Sequence, residues 1–165
     1  MAHNAITLYQ QVLSIVREIG NCAGEATILG ALGNLHLNLG YYEQAIEYFQ
    51  EALTIFQQIG DGHAQEEILN NLGDAYLAIG RIDPAIDCYE QQLRIAKQLG
   101  DHYNQAQALL NKSLALDERG EHERAIMHAE ISLGIYEWLN SPNVEVIRKQ
   151  LAQWRDKQQE SLSFE

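Results

Sequence analysis

A chain of 165 residues that is 46% hydrophobic is long enough to bury a core, and its two prolines and scarcity of β-branched runs favour helices over strands. The formal charge of −12 argues against a nucleic-acid partner, because gripping a phosphate backbone takes lysines and arginines that displace counterions. No apolar stretch approaches the roughly 18 residues of a membrane span, and no basic segment followed by an apolar one opens the chain, so a soluble cytoplasmic protein is expected.

Glycine punctuates the chain at Gly20, Gly40, Gly60, Gly80, Gly100 and Gly120, and Asn140 takes the next place. Each is a residue type suited to the left-handed turn that ends a helix. Between these stops the spacing predicts helices, in chain order, near 3–19, 22–39, 43–59, 62–79, 83–99, 102–119, 122–139 and 142–160. Asn21, Asp61, Asp101 and Ser141 stand where a cap should open every second helix. Asp83-Pro84 and Ser141-Pro142 both read as a cap followed by proline at the first helical position.

Apolar residues inside these segments recur at three and four, as in Ala45, Phe49, Ala52, Phe56 and Ile59, or Ala85, Ile86, Tyr89, Leu93 and Ala96. The helices alternate between two kinds, A and B, with a repeat of 40 residues. Residues 1–20 then form a lone B helix. Repeats follow over 21–60, 61–100 and 101–140, and residues 141–165 make a capping helix with a short tail.

The segment Leu72-Gly73, Tyr76, Gly80, Ala85 and Tyr89 resembles the tetratricopeptide repeat, departing from it at Gln92, where a small alanine is usual. Leu32-Gly33, Gly40, Ala45, Phe49 and Ala52 repeat the pattern, with His36 in an aromatic place. The third repeat is degenerate, having Lys112-Ser113 for Leu-Gly and Ala129 for the aromatic. The 40-residue period is similar to a long-helix subclass found in spindle-orientation scaffolds, kinesin light chains and bacterial regulators. The resemblance implies an all-α fold: a right-handed superhelical solenoid of antiparallel helix pairs, about eight helices in all. Small residues such as Gly33, Gly73, Ala45 and Ala85 suit the close packing of A on B helices.

In such solenoids the A helices line a concave groove. The resemblance assigns to it Thr27, Gly30, Asn34 and Asn38, then Glu67, Asn70, Asn71 and Asp74, then Gln107, Leu110, Asn111, Leu114 and Asp117. A carboxamide donates and accepts, so such a row can pair with the backbone of an extended peptide; alternatively, the amides only bridge neighbouring helices. Relatives that clamp an acidic C-terminus use two asparagines and three basic residues. Asn34 and Asn71 match the asparagines, but Gly30, Gln107 and Asn111 occupy the basic places, so no such clamp is expected. Before residue 81 the sole basic residue is Arg17 against nine acids, which favours a basic or neutral guest. Glu43, Glu47 and Glu51, spaced by four, read more simply as a solvated outer face.

Catalysis is not expected. The chain has no nucleophile with a base, no phosphate loop and no metal-ligand spacing; its six histidines are dispersed, and Cys22 and Cys88 read as two separate thiols. No catalytic residue, cofactor or metal is assigned. The leading expectation is a protein-protein interaction module within a scaffold or regulator. The alternatives are a self-assembling array and the regulatory region of a larger enzyme. Self-assembly has its own signal, because Ile6, Tyr9, Leu13 and Val16 lack a preceding A helix while Ile147, Leu151 and Trp154 form a stripe among basic residues. Head-to-tail pairing of chains would join them; ordinary capping is the simpler reading.

Overall fold

A computed structural model of the protein describes the backbone of residues 2–163 and the side chains of residues 4–158, so the end of the expected tail lies outside the described residues. Among these residues the secondary structure is all helical: α1 (Ala2–Glu18), α2 (Cys22–Asn38), α3 (Tyr42–Ile59), α4 (Gly62–Ala78), α5 (Ile82–Leu99), α6 (His102–Glu118), α7 (His122–Trp138) and α8 (Val144–Ser163). All six spaced glycines, and Asn140 with them, adopt positive φ (Gly60 +74°, Asn140 +53°). Left-handed backbone at these points lets the chain reverse while its last amides bond back into the helix. Asp61 N–H, for example, donates to Phe56 O at 3.1 Å.

Helices α2, α4 and α6 start on side-chain caps. Asn21, Asp61 and Asp101 accept from the backbone N–H of Gly24, Ala64 and Asn104, at 2.9, 3.0 and 2.9 Å. Each satisfies an amide that the helix leaves without a partner. The two proline starts differ from expectation. Helix α5 already begins at Ile82, placing Asp83 and Pro84 inside its first turn, where the missing proline N–H costs nothing. Ser141 and Pro142 instead belong to a turn, with Ser141 Oγ accepting from Asn143 N–H at 3.3 Å, and α8 begins at Val144.

The chain divides into two compact units, Met1–Cys88 and Tyr89–Glu165, with the boundary inside α5. In the first, α2 packs on both α1 and α3, and α4 on α3. Its core holds Leu29, Leu32, Ala45, Phe49 and Ala52, none of them exposed. A close crossing runs through Gly33, where an added Cβ would stand 2.5 Å from Phe49 Cε1. His36, in its expected aromatic place, is buried, with Tyr41 and Tyr48 around it at ring distances of 6.1 and 5.0 Å. Its Nδ1 lies 2.8 Å from Leu32 O.

In the second unit α7 packs against α6 and α8. Ser113 and Ala129 occupy the register of Gly33 and Phe49, and both are fully buried. Ser132, also fully buried, donates from Oγ to Ala106 O at 2.7 Å and so ties α7 to α6. Lys112 stands where the earlier repeats carry leucine. It is 7% exposed, and its ammonium reaches Glu90 at 2.8 Å.

Candidate functional site

Four turns of α2 and α4 present the carboxamides that the sequence singled out, and in the first unit they meet one another. Asn71 Nδ2 donates to Asn34 Oδ1 at 2.9 Å, and Asn70 Nδ2 donates to Asn71 Oδ1 at 3.2 Å and to Asp74 Oδ2 at 3.4 Å. All four side chains are half-buried. This row arises from close approach of the two helices: at Gly30 the absent Cβ leaves room for Ile68 of α4, whose Cδ1 would lie 3.0 Å from it. Larger side chains would hold α2 and α4 too far apart for a direct Asn34–Asn71 bond. Asn34 spends its oxygen on that bond and retains its NH2 donors, and Asn71 retains one N–H. A ligand backbone carbonyl is a suitable acceptor for either.

Thr27, Asn38 and Glu67 are exposed on the same two helices. The Thr27 hydroxyl donates to Ala23 O at 2.8 Å, so part of its capacity is used within α2. The acidic field here is strong. Up to residue 88 eleven acids face two basic residues, a net −9.

In the second unit α6 carries Gln107, Asn111 and Asp117, all half-buried, with Leu114 38% exposed between them. Asp117 Oδ1 lies 2.7 Å from His122 Nδ1, across the turn into α7. These two residues open a cleft of about 600 Å³ whose other lining includes Glu121, Arg124, Trp154 and Lys157. Glu121 holds both Arg119 and Arg124, and the Arg124 hydrogen bond, with the charges of both guanidiniums, draws its carboxyl below the usual range. The sequence reading passed over this cleft. Its one legible sign was the His122–Asp117 spacing across a helix turn, and nothing local announces that Trp154 would close it from α8.

The residues expected for self-association are not grouped as anticipated. Ile147, Leu151 and Trp154 are 1%, 3% and 5% exposed, so α8 spends its apolar stripe within the chain, which packs it against α7. Leu13 is 7% exposed, while Ile6 and Tyr9 are half-buried. The open side of α1 instead shows Leu8, Ile15 and Ile19, at 60%, 55% and 69%. In α3 the same register faces α2, where Tyr48 meets His36, so this is the side that a preceding A helix would cover.

Three groups rest in unusual electrostatic settings. Burial pushes the Cys88 thiol up to about 12 and the Tyr136 phenol up to about 12. His128 is held below the ordinary histidine range by burial and by the charges of Lys112 and Arg124. Neither thiol is in a disulfide, Cys22 being exposed and Cys88 buried. Among the described residues no helix is long and apolar enough to cross a membrane.

A family model for the tetratricopeptide repeat matches residues 2–58, 25–98 and 64–137. No curated protein matches the chain. Among solved structures, the apo form of RapI is similar at 18% identity and a TM-score of 0.90, over 96% of this chain and 45% of RapI. A signal transduction ATPase of Pyrococcus horikoshii with a tetratricopeptide repeat sensor is similar at 21% identity and a TM-score of 0.83, over 96% of this chain and 25% of that one. A Rap protein complexed with competence and sporulation factor gives 16% identity and a TM-score of 0.77, over 96% and 45%. The chain thus spans less than half the length of each of these relatives. Their identities carry the fold alone: a helical solenoid of antiparallel pairs.

Proposed function

Because the chain belongs to the tetratricopeptide repeat family, we propose that it is a non-catalytic interaction module that takes an extended, basic or neutral peptide segment along the α2–α4 amide row. The observation that carries this reading is the hydrogen-bonded row Asn34–Asn71–Asn70, which is held in place by its own bonds and still has N–H donors left over. Donors fixed in position before binding lose little entropy when a strand arrives, and backbone carbonyls offer them acceptors at regular spacing. The surrounding net −9 favours cationic side chains on the guest and speeds its arrival, an effect that salt should screen. A similar Rap protein is complexed with competence and sporulation factor, which supports a ligand-holding role for this solenoid.

A selection of random peptides about a dozen residues long against the whole chain should return basic or neutral sequences. Fluorescence anisotropy should then show at least tenfold weaker binding to Asn34→Ala/Asn71→Ala, the loss expected for one to two well-placed hydrogen bonds. Helicity should not change. Peptides that bind this variant as well as the parent would move the site off the amide row.

A further inference from the structure

Helix α8 lays Ile147, Leu151 and Trp154 against α7, and the stripe runs out there: the next positions on that side, Lys157 and Gln158, are polar. Close packing needs apolar bulk from both partners, so past Trp154 the contact opens. The space left between α8 and the turn that joins α6 to α7 is the cleft of about 600 Å³. That volume falls within the roughly 300–1,000 Å³ of sites that bury most of a small ligand, and such sites combine an apolar wall with a few converging polar groups.

The lining carries three carboxylates, and two of them are engaged. Asp117 Oδ1 meets His122 Nδ1 at 2.7 Å, while Glu121 accepts from both Arg119 and Arg124. These bonds hold the wall in place before any ligand arrives, which lowers the entropy that binding must give up. Two opposite charges stay open. Glu123, in the first turn of α7, and Lys157, on α8, both line the cleft, are exposed to solvent, and have no ion-pair or hydrogen-bond partner among the described residues.

We propose that this cleft binds a peptide of two or three residues with both ends free, its ammonium at Glu123, its carboxylate at Lys157 and an apolar side chain against Trp154. The charges select this class. An anion would be repelled by Glu123 and a cation by Lys157, whereas a zwitterion meets its opposite at each. A single amino acid has the same two charges but would leave most of the volume to water. A longer chain would hold its ends too far apart for both to stay in the cleft, because each extended residue adds about 3.3–3.6 Å. The site lies wholly in the second unit and shares no residue with the amide row, so it stands apart from the reading of that row.

The experiment follows Trp154 fluorescence in the full chain on a Trp138→Phe background, which leaves Trp154 as its sole tryptophan. Trileucine should change the emission saturably, with half-saturation below about 1 mM. Trileucine amide and N-acetyl-trileucine, each lacking one charge, should bind about three- to fivefold more weakly, as expected for the loss of one exposed ion pair. Lys157→Met should then bind trileucine and its amide equally, and Glu123→Gln should bind trileucine and its N-acetyl form equally. A chain that merely misfolded would lose all three peptides together. Leucine should bind at least tenfold more weakly than trileucine, and Asn34→Ala/Asn71→Ala should bind trileucine as the parent does. The absence of a saturable change up to about 10 mM overturns the proposal. So do equal affinities for the three peptides, discrimination that persists in the two charge variants, leucine binding as tightly as trileucine, and loss of trileucine by the amide-row variant.

Discussion

The first and third repeats make the same kind of helix crossing from different ingredients. Between α2 and α3 a glycine meets a phenylalanine, with Phe49 fully buried and its ring where a Gly33 side chain would be. At the matching positions of α6 and α7, Ser113 and Ala129 share the space, and both are fully buried as well. A serine and an alanine together are smaller than a glycine and a phenylalanine, and because interiors are packed to a nearly constant density the α6–α7 crossing closes around less side-chain volume than the α2–α3 crossing. The third repeat departs from the family pattern both in residue identity and in the volume it places at this crossing. It adds polar groups of its own, in Lys112, Ser132 and His128.

The largest effect expected from breaking this comparison is at the asymmetric crossing. Phe49→Ala should cost about 3–5 kcal/mol in chemical denaturation, since no neighbour can fill the space of a whole ring. The shared crossing should behave differently. Ala129→Phe should cost about 1–3 kcal/mol by overpacking, and adding Ser113→Gly should recover a good part of it, a coupling that a double-mutant cycle measures. If the two changes prove simply additive, volume is not exchanged between these positions.

A smaller effect compares the units through their caps. Asp61→Ala in the first and Asp101→Ala in the second should each cost about 1 kcal/mol, because the two bonds have the same geometry. A marked inequality in their melting temperatures would mean that the units do not unfold together.

The smallest effect is one of pH and belongs to the second unit alone. His128 has a lower pKa folded than its ordinary value of 6.5, so the unfolded chain takes up its proton first as pH falls. Its contribution to stability is complete above about 6.5 and is lost progressively as pH drops toward the folded value. Glu90 shifts the same way at lower pH, drawn down by Lys112, and contributes stability that disappears as pH falls below the carboxylate range. Lys112→Leu restores the residue of the earlier repeats. It should raise the His128 pKa in an NMR titration and stabilise the fold by roughly 1 kcal/mol, because the remaining Glu90 side chain is 48% exposed and can be solvated.

Eight helices and most of their ends are legible in the sequence. The stops at Gly20 to Gly120 and at Asn140, the caps Asn21, Asp61 and Asp101, and the three-and-four stripes are all local facts of backbone conformation and helical period. The two proline starts lie one or two residues from where the sequence puts them, since a proline fixes its own φ but not where the first hydrogen bond closes. The amide row was half legible: Asn34, Asn70, Asn71 and Asp74 stood out by type and spacing, but the Asn71–Asn34 bond exists only because Gly30 lets α4 come close.

The faces were decided by tertiary structure. A B helix is apolar on two sides, and its sequence does not say which side a neighbour will take, so Leu13 and Leu8 look alike until α2 buries the one and leaves the other at 60%. The same ambiguity hid Trp154 within the core and left Trp138 on the surface. Periodicity, a property of one helix, is written in the sequence; burial belongs to pairs of helices, and only their packing sets it.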